Sequence, residues 1–320
     1  MDKWDALEQE LRKIPGRGLE IWRNEPMSKH TSFRVGGPAA MLISPLSSGF
    51  VWMATKILRK AGVPYFFMGN GTNLLVSDTG YDGVIIKTLD LSDDMETDFG
   101  FYGFNEYNDF VGAGSGLLLS KLTRLMQLNG RTGLEWAAGI PGTVGGAIAM
   151  NAGAYGGEMS QVVRAVAFMT EGGENTFLLN EECEFSYRHS IFLDHPEWLI
   201  TWVKLELPSD DPAAIKARMD DLAAQRKAKQ PLEYPSAGST FKRPPAVDGK
   251  PVYAAALIDQ CGCKGLTVGG AQVSEKHAGF IINRGGATCA DILALVEEVK
   301  RRVYDQTGIT LELEVKTLGV

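Results

Sequence analysis

Glycine is concentrated in one part of this 320-residue sequence, and that concentration limits how the chain can fold. The sequence has 37 glycines among 320 residues, about 12% against roughly 7% in average proteins, and 12 of them fall in the 46 residues from Gly112 to Gly157. No Gly-X-Y period is present, which excludes collagen, and a hydrophobic fraction of 44% excludes a low-complexity chain. The glycines therefore predict close-packed loops within a globular fold large enough for two or more cores.

Charge and hydropathy argue against two classes of partner. The 32 Lys plus Arg against 39 Asp plus Glu give a net charge of −7, whereas nucleic-acid binding needs a basic surface. No stretch approaches the ~20 apolar residues of a membrane span. The apolar positions Trp4, Leu7, Leu11 and Ile14 predict an amphipathic helix rather than a signal sequence. We therefore expect neither nucleic-acid binding nor membrane insertion.

The four cysteines predict a reducing compartment. Cys183, Cys261, Cys263 and Cys289 are too few for a disulfide scaffold and contain no CxxC pair, so the cytoplasm is the expected location. Cys261 and Cys263 could bind a metal together with His277, but their spacing fits no zinc signature. We therefore favour buried thiols and predict no metal.

The first region of the chain, up to about residue 89, alternates strands with one clear helix. Ser47 and Ser48 can cap that helix, and Gly62 ends it. Apolar runs at residues 64–68 and 74–76 predict two strands that flank a glycine-rich loop.

The second region, residues 90–207, begins with an acidic and aromatic stretch at 90–109 that we interpret as solvated strands or a hairpin. The prolines of segment 208–212 predict a boundary to the third region, residues 208–320.

The third region is predicted to begin with a helix whose end, residues 226–229, is basic. A later helix over residues 290–304 is predicted to be capped by Thr288. The alternation of residues 309–315 predicts a final strand.

The segment from Gly112 to Gly116 follows a predicted strand and precedes a helix, as a Rossmann nucleotide loop does. That fingerprint needs a small residue where Leu117 or Leu119 stands, and both are too large. The acid some twenty positions on, Glu135, lies in another glycine-rich loop instead of at a strand end. These residues favour the alternative, a packed turn between strand and helix.

Two other glycine-rich loops, residues 69–73 and 139–146, offer backbone amides with few side chains in the way. Such amides can surround phosphate oxygens. A ligand with a long phosphate-bearing body would use both loops.

Several longer motifs occur together in a fixed order. They are residues 24–39, 69–78, 133–147, 150–156, 185–192, 235–244, 276–280 and 311–315. In this set and order the sequence resembles the UDP-N-acetylenolpyruvoylglucosamine reductase (MurB) family of bacterial peptidoglycan synthesis, from about residue 20 to its end. The stretch between Arg188 and Ser239 is too short for the tyrosine-bearing loop of the family's longer type, so the resemblance is to the shorter type.

The resemblance implies an α+β fold with a two-lobed FAD-binding domain of the PCMH/vanillyl-alcohol-oxidase type. This domain would span residues 1–207, with lobes at about 1–89 and 90–207. A smaller α+β substrate-binding domain would span residues 208–320, with strand 309–315 returning to the active site. The protein is expected to be a monomer or weak oligomer.

The resemblance also implies the reaction. NADPH, as co-substrate, would reduce the enolpyruvyl ether of UDP-N-acetylglucosamine to UDP-N-acetylmuramate through a non-covalently bound FAD. The residues it assigns to FAD binding are Gly69, Asn70, Gly71, Thr72, Asn73, Gly139, Pro141, Gly142, Thr143, Gly145, Gly146 and Ala147.

Three residues match the family's catalytic positions. Arg188 would grip the substrate carboxylate and stabilise the enolate, and Ser239 would donate the proton. Glu314 would donate a hydrogen bond to the intermediate as a protonated acid. Without the resemblance, a surface arginine, a turn serine and solvated strand glutamates at 312 and 314 are the alternatives.

Three further residues match substrate-binding positions. Tyr155 and Lys227 would contact the UDP-sugar, although Lys227 also suits an ordinary basic helix end. Arg243 stands where many members have asparagine, and it resembles the variant of Gram-positive bacteria. Another FAD-dependent oxidoreductase of the same superfamily and a non-catalytic sugar-nucleotide sensor remain the competing functions.

Overall fold

The computed structural model describes residues 2–15, 19–89, 110–247 and 249–320. The strands or hairpin predicted over 90–109 lie outside these described residues. The α-helices are α1 (Lys3–Leu11), α2 (Ser48–Lys60), α3 (Leu119–Leu128), α4 (Val144–Ala149), α5 (Ile191–Asp194), α6 (Pro212–Lys229), α7 (Ala254–Gln260) and α8 (Cys289–Thr307).

The strands are mostly short. They are β1 (Leu19–Pro26), β2 (Pro38–Pro45), β3 (Tyr65–Met68), β4 (Leu74–Val76), β5 (Tyr81–Lys87), β6 (Phe110–Gly114), β7 (Gly153–Ala154), β8 (Gly157–Glu158), β9 (Val163–Met169), β10 (Asn175–Leu179), β11 (Leu199–Glu206), β12 (Thr267–Val268), β13 (Ala271–Val273), β14 (Ile281–Asn283) and β15 (Lys316–Leu318).

The chain divides into two compact units, and neither is one continuous segment. The first unit comprises Met1–Arg23, Met41–Asn70 and Gly83–Gln225, and the second comprises Asn24–Ala40, Gly71–Asp82 and Arg226–Val320. The domains predicted from the sequence, 1–207 and 208–320, are continuous segments, because breaks in the sequence pattern do not show which distant segments pack together. That division stays a prediction.

The first unit contains two apolar cores. In one, the buried faces of α1 and α2 pack with β2 and β5, and the sheet order is β1-β2-β5-β3. The predicted helices are confirmed, since Leu7 and Leu11 of α1 are buried and the Ser47 hydroxyl accepts the Phe50 amide at 3.3 Å. In the other core, α3 and α4 pack on the sheet β10-β9-β11-β6.

The glycines at 112–116 belong to this second sheet. Strand β6 pairs antiparallel with β11, with Gly114 opposite Trp202. A Rossmann loop requires a parallel βαβ unit, so the packed-turn interpretation is confirmed. A Cβ at Gly112 would overlap the Trp202 ring, and this packing explains the glycine there.

The second unit is built around α8. Strands β12, β13 and β14 form an antiparallel sheet beside α8, and β15 pairs in parallel with β4. The predicted cap of α8 is confirmed, because the Thr288 hydroxyl accepts the Asp291 amide at 3.0 Å. The helix ends at Gly308, whose φ of 71° is left-handed.

The prediction of a strand over 309–315 is wrong. The regular strand is β15, and within 309–315 only Leu313 forms a bridge, to Phe241. The alternation does reflect burial, since Leu311 and Val315 are buried. Backbone hydrogen bonds join Glu314 to Thr240 and Lys242 to Glu312 on either side of that bridge, and periodicity in the sequence does not report how far such pairing extends.

Among the described residues, no helix has the length and apolar character needed to cross a bilayer.

All four cysteines lie in the described ranges, and each is buried without a disulfide. Burial raises the pKa of Cys183 to about 12 and that of Cys289 to about 11, so these thiols stay protonated at neutral pH. Within the same ranges, no three His, Cys, Asp or Glu side chains are grouped to hold a metal.

Asp78, in the loop after β4, is expected to stabilise the second unit by capping α8. Its carboxylate accepts the amides of Cys289 at 2.7 Å and Ala290 at 2.9 Å, in the first turn of α8. We expect Asp78→Ala to lower the free energy of unfolding by about 1–2 kcal/mol, measured by urea denaturation. Thr79→Ala removes a neighbouring exposed hydroxyl and is the control; equal midpoints for the two variants would contradict the role of Asp78.

Candidate active site

In the first unit, the start of one glycine-rich loop lies against the other loop. The Asn70 side chain donates to the Pro141 carbonyl at 2.6 Å. Thr143 is buried and caps α4, accepting the Gly146 amide at 3.2 Å. A Cβ at Gly69 would overlap the Thr143 hydroxyl, so glycine is required for this close approach. The structure thus brings Gly69 and Asn70 together with the predicted loop 139–147.

The second loop is anchored on the segment that follows β6. The Gly145 amide donates to the Ser115 carbonyl at 2.8 Å, and the Leu119 amide donates to the Gly142 carbonyl at 2.9 Å. The Ser115 hydroxyl is buried, and no group in the described part of the protein bonds to it. A buried hydroxyl without a protein partner suits a polar group of a ligand.

Ser115 is not among the residues predicted from the sequence, because segment 112–116 fits a packed turn better than a nucleotide-binding loop. Its position between Gly114 and Gly116 was the available signal, since small neighbours allow a ligand to approach.

The rest of the first loop belongs to the second unit. Gly71 has a φ of 62°, and its carbonyl accepts the Ser32 amide at 3.1 Å. The Ser32 hydroxyl donates to the Thr72 carbonyl at 3.2 Å. Asn73 donates its side-chain amide to the Glu314 carbonyl at 3.0 Å, and its own carbonyl accepts the Lys316 amide at 3.1 Å. Asn73 therefore holds the segment that carries Glu314.

Arg188 stands in a tight turn of the first unit. Ser186 and His189 exchange backbone hydrogen bonds of 3.1 and 3.2 Å across the turn. Arg188 has a φ of 57°, a left-handed conformation that favours glycine and is uncommon for arginine. Its Nη2 donates to the Gly153 carbonyl at 3.1 Å, and its guanidinium lies 5.1 Å from the Tyr187 ring centroid.

Tyr155 lies at the tip of the neighbouring hairpin. Strands β7 and β8 pair with Ala154 opposite Gly157, which leaves Tyr155 and Gly156 as the turn. Their φ values of 52° and 85° are those of a type I′ turn, where asparagine is usual and tyrosine is not. Because Arg188 binds the Gly153 carbonyl of this hairpin, the structure places Arg188 and Tyr155 on adjoining turns.

Ser239 and Glu314 are brought together through their backbones in the second unit. Thr240, next to Ser239, accepts the Glu314 amide at 2.9 Å. Thr240 is itself fixed, since its amide donates to the Gly279 carbonyl at 2.8 Å and its hydroxyl accepts the Ile281 amide at 3.1 Å. The turn that carries Ser239 is therefore rigidly held.

The structure distinguishes Glu314 from Glu312. The Glu312 side chain is 72% exposed and forms an ion pair of 3.3 Å with Lys242. Glu314 is only partly exposed, and its carbonyl is bound by Asn73. Glu312 is thus the solvated glutamate of the pair.

The two remaining substrate candidates have other neighbours in the second unit. Lys227 is exposed near the end of α6, and its carbonyl accepts the Lys276 ammonium at 2.7 Å. The Arg243 guanidinium lies 5.4 Å from the ring centroid of Tyr253, which is 54% exposed. These contacts neither join Lys227 to Arg243 nor connect them with Ser239.

Two family models match the chain. One, described as an FAD binding domain, matches residues 39–177. The other, described as the C-terminal domain of UDP-N-acetylenolpyruvoylglucosamine reductase, matches residues 230–318.

Relatives match over nearly the whole chain. The UDP-N-acetylenolpyruvoylglucosamine reductase of Caldanaerobacter subterraneus is 43% identical over 317 residues, 98% of this chain and 99% of the relative. That of Clostridioides difficile is 45% identical over 300 residues, 94% of each chain. The crystal structure of the enzyme from Thermus caldophilus superposes with a TM-score of 0.74 at 34% identity, covering 94% of this chain and 99% of that one. The expected α+β fold with an FAD-binding domain is confirmed.

His277 is expected to make the stability of the second unit depend on pH. Its Nδ1 accepts the Gly279 amide at 3.2 Å, and burial lowers its pKa below the ordinary value. Below about pH 6.5 the unfolded chain therefore binds this proton more readily than the folded protein, so stability falls as the pH decreases through that value. We expect a lower urea midpoint at about pH 5.5 than at about pH 7.5, measured by circular dichroism.

His277→Gln should lessen this pH dependence, whereas His195→Gln, which changes a more exposed imidazole, should keep it. An unchanged pH dependence in His277→Gln would contradict the assignment.

Proposed function

The chain belongs to the UDP-N-acetylenolpyruvoylglucosamine reductase (MurB) family, and from this premise we propose how its residues perform the family's reaction. It is an FAD-dependent oxidoreductase that reduces the enolpyruvyl ether of UDP-N-acetylglucosamine to UDP-N-acetylmuramate, with NADPH as reductant, in peptidoglycan precursor synthesis. The observation that carries this function is the similarity over nearly the full length, which includes the C-terminal domain. An oxidoreductase of the superfamily acting on another substrate does not explain that C-terminal match.

The residues of the two loops fit a flavin dinucleotide. The buried hydroxyl of Ser115, which no described group binds, offers a polar partner to a ligand, and Asn70 lies against the loop 139–147, whose glycines add little side-chain bulk near a pyrophosphate. When bound, FAD supplies hydride transfer from NADPH to the substrate. We assign its binding to residues 69–73 and 139–147, with Ser115 as an added contact.

Arg188 is proposed to hold the substrate carboxylate. Addition of hydride to the terminal methylene leaves negative charge on the neighbouring carbon, and that charge spreads into the carboxylate. A guanidinium can bind both carboxylate oxygens at once, and it stabilises this charge most where water is excluded. The left-handed backbone at Arg188 supports the role, because such a conformation at a non-glycine residue is typical of functional sites.

Ser239 is proposed to donate the proton to the carbon that carries the charge. A serine hydroxyl is a weak acid, but an enolate of a carboxylate is basic enough to take its proton when both are held close and dry. Support comes from the three hydrogen bonds of Thr240, which fix the position of Ser239.

Glu314 is proposed to be the acid that hydrogen-bonds to the intermediate. A carboxyl near a developing negative charge is disfavoured as an anion, so it can remain protonated and donate. Its lower exposure, compared with that of Glu312, supports this choice.

Tyr155, Lys227 and Arg243 are proposed to bind the UDP-sugar. The exposed ring of Tyr155 at a hairpin tip can stack on a flat or sugar surface. The cations can pair with the diphosphate, for which arginine and lysine are the usual partners.

A cytoplasmic location is proposed as well. It is supported by four buried thiols without disulfides, since disulfides are rare in reducing compartments.

The role of Arg188 can be tested with Arg188→Lys. The lysine keeps the charge but loses the bidentate fork, so we expect kcat to fall by about 10²- to 10³-fold with a smaller change in KM. The measurement is steady-state oxidation of NADPH in the presence of the enolpyruvyl sugar nucleotide. Arg164→Lys, which alters an exposed pair with Glu206, is the control; a rise in KM alone for Arg188→Lys would show ground-state binding instead.

The role of Ser239 can be tested with Ser239→Ala. We expect kcat to fall by about 10²- to 10⁴-fold, because the proton donor is lost, while NADPH alone still bleaches the flavin absorbance at the normal rate. Ser236→Ala, in the same proline-rich turn, should retain full activity. Normal turnover by Ser239→Ala would remove this serine from the mechanism.

A further inference from the structure

Asn151 is a buried amide whose two polar atoms are both used. Its side chain is 0% exposed. The Nδ2 donates to the Ser186 carbonyl at 3.0 Å, and the Oδ1 accepts the Ser160 amide at 2.9 Å. Its φ is 41°, a left-handed conformation that asparagine tolerates better than most residues. The side chain thus connects two loops that lie 35 and 9 positions away in sequence.

One of these loops is the turn that carries Arg188. Ser186, which receives the Asn151 hydrogen bond, is the first residue of that turn and pairs with His189. Just beyond the turn, the Ser190 hydroxyl donates to the Ala149 carbonyl at 2.8 Å. Both ends of the turn are therefore bound to residues 149–151.

The guanidinium of Arg188 returns to the same segment. Its Nη2 donates to the Gly153 carbonyl, two residues after Asn151. Backbone and side chain thus close a ring that runs from Asn151 through Ser186 and Arg188 to Gly153. In such a ring, the position of the guanidinium depends on the length and direction of the Asn151–Ser186 hydrogen bond.

We propose that Asn151 is a positioning residue for Arg188, fixing the left-handed turn so that the guanidinium meets the substrate carboxylate. This inference rests on the role proposed above for Arg188. Displacement of a catalytic group by about 1 Å can cost about 10²-fold in rate, so loss of this one hydrogen bond should be visible in kcat. Asn151 itself need not touch the substrate.

The variant that tests the proposal is Asn151→Asp. The carboxylate can still accept the Ser160 amide, but it places an oxygen where the donor to the Ser186 carbonyl was. We expect kcat to fall at least about tenfold, with KM changed less than about threefold. The control is Asn180→Asp, which likewise removes an amide donor, here to the carbonyls of Ser160 and Val163, and should leave kcat within about twofold.

A double variant separates positioning from general stability. If Asn151 acts through Arg188, the effects on kcat are not additive, and Arg188→Ala combined with Asn151→Asp should be no slower than Arg188→Ala alone. If the fold-reductions in kcat of the two single variants multiply in the double variant, the proposal is overturned. It is also overturned if the kcat of Asn151→Asp equals that of the control. An Arg188→Ala variant with full activity would instead refute the proposed role of Arg188.

A second variant covers the case in which a buried aspartate prevents folding. Asn151→Gly retains the positive φ and introduces no charge. It should fold, keep its flavin and show the same fall in kcat and the same lack of additivity with Arg188→Ala. If neither variant folds, Asn151 is a structural residue and the proposal is overturned.

Discussion

The hydrogen bonds of Asn73 hold the C-terminal segment that carries Glu314, and the site residues of the second unit depend on the position of that segment. Its side chain binds the carbonyl of Glu314, which lies 241 positions later, and its carbonyl binds the Lys316 amide. These bonds lead into the parallel pairing of β15 with β4. The amide of Glu314 also donates to the carbonyl of Thr240, which follows Ser239. Hydrogen bonds therefore join the glycine-rich loop, the proposed acid Glu314 and the turn that carries the proposed proton donor. Displacing any one of them would disturb the other two.

Backbone strain is concentrated where chemistry is proposed. The described non-glycine residues with positive φ are Asn24, Arg34, Asn151, Tyr155, Glu184 and Arg188. Three of the six lie close together: Tyr155 and Arg188 stand in the two turns joined by the Arg188–Gly153 hydrogen bond, and Asn151 lies two residues before Gly153. A conformation of this kind costs of order 1–3 kcal/mol at most residues, and surrounding bonds must maintain it. At the turn that carries Arg188, the side chains of Asn151 and Ser190 supply these hydrogen bonds.

Local features of the fold and the glycine loops were predictable from sequence. Helix caps at Ser47 and Thr288 depend on neighbouring residues, so the sequence pattern contains their cause. The sequence predicts two glycine-rich loops that one phosphate-bearing ligand would use, but the hydrogen bond from Asn70 to Pro141 is seen only in the structure. The strand predicted at 309–315 is wrong because strand formation depends on backbone pairing, which here is limited to residues 240–242, far away in sequence.

Two residues of the site, Ser115 and Asn151, are important because of contacts that their sequence neighbours do not specify. Ser115 matters because its hydroxyl is buried without a partner, and burial is set by the whole unit. Asn151 matters because of bonds to Ser186 and Ser160, which only the folded chain brings near.

The discontinuity of the second unit has a consequence for synthesis of the chain. Its core joins Phe33 and Leu75 to residues of α8, which come from the C-terminal segment. At translation rates of about 5–20 residues per second, the 143 residues between Asp82 and Arg226 take roughly 7–29 s to make. During that time segments 24–40 and 71–82 have emerged without their final partners, and their apolar side chains are exposed to chaperones and to neighbouring chains. The second unit can therefore be completed only after the segment that begins at Arg226 has been synthesised, by which time all of the first unit has been made.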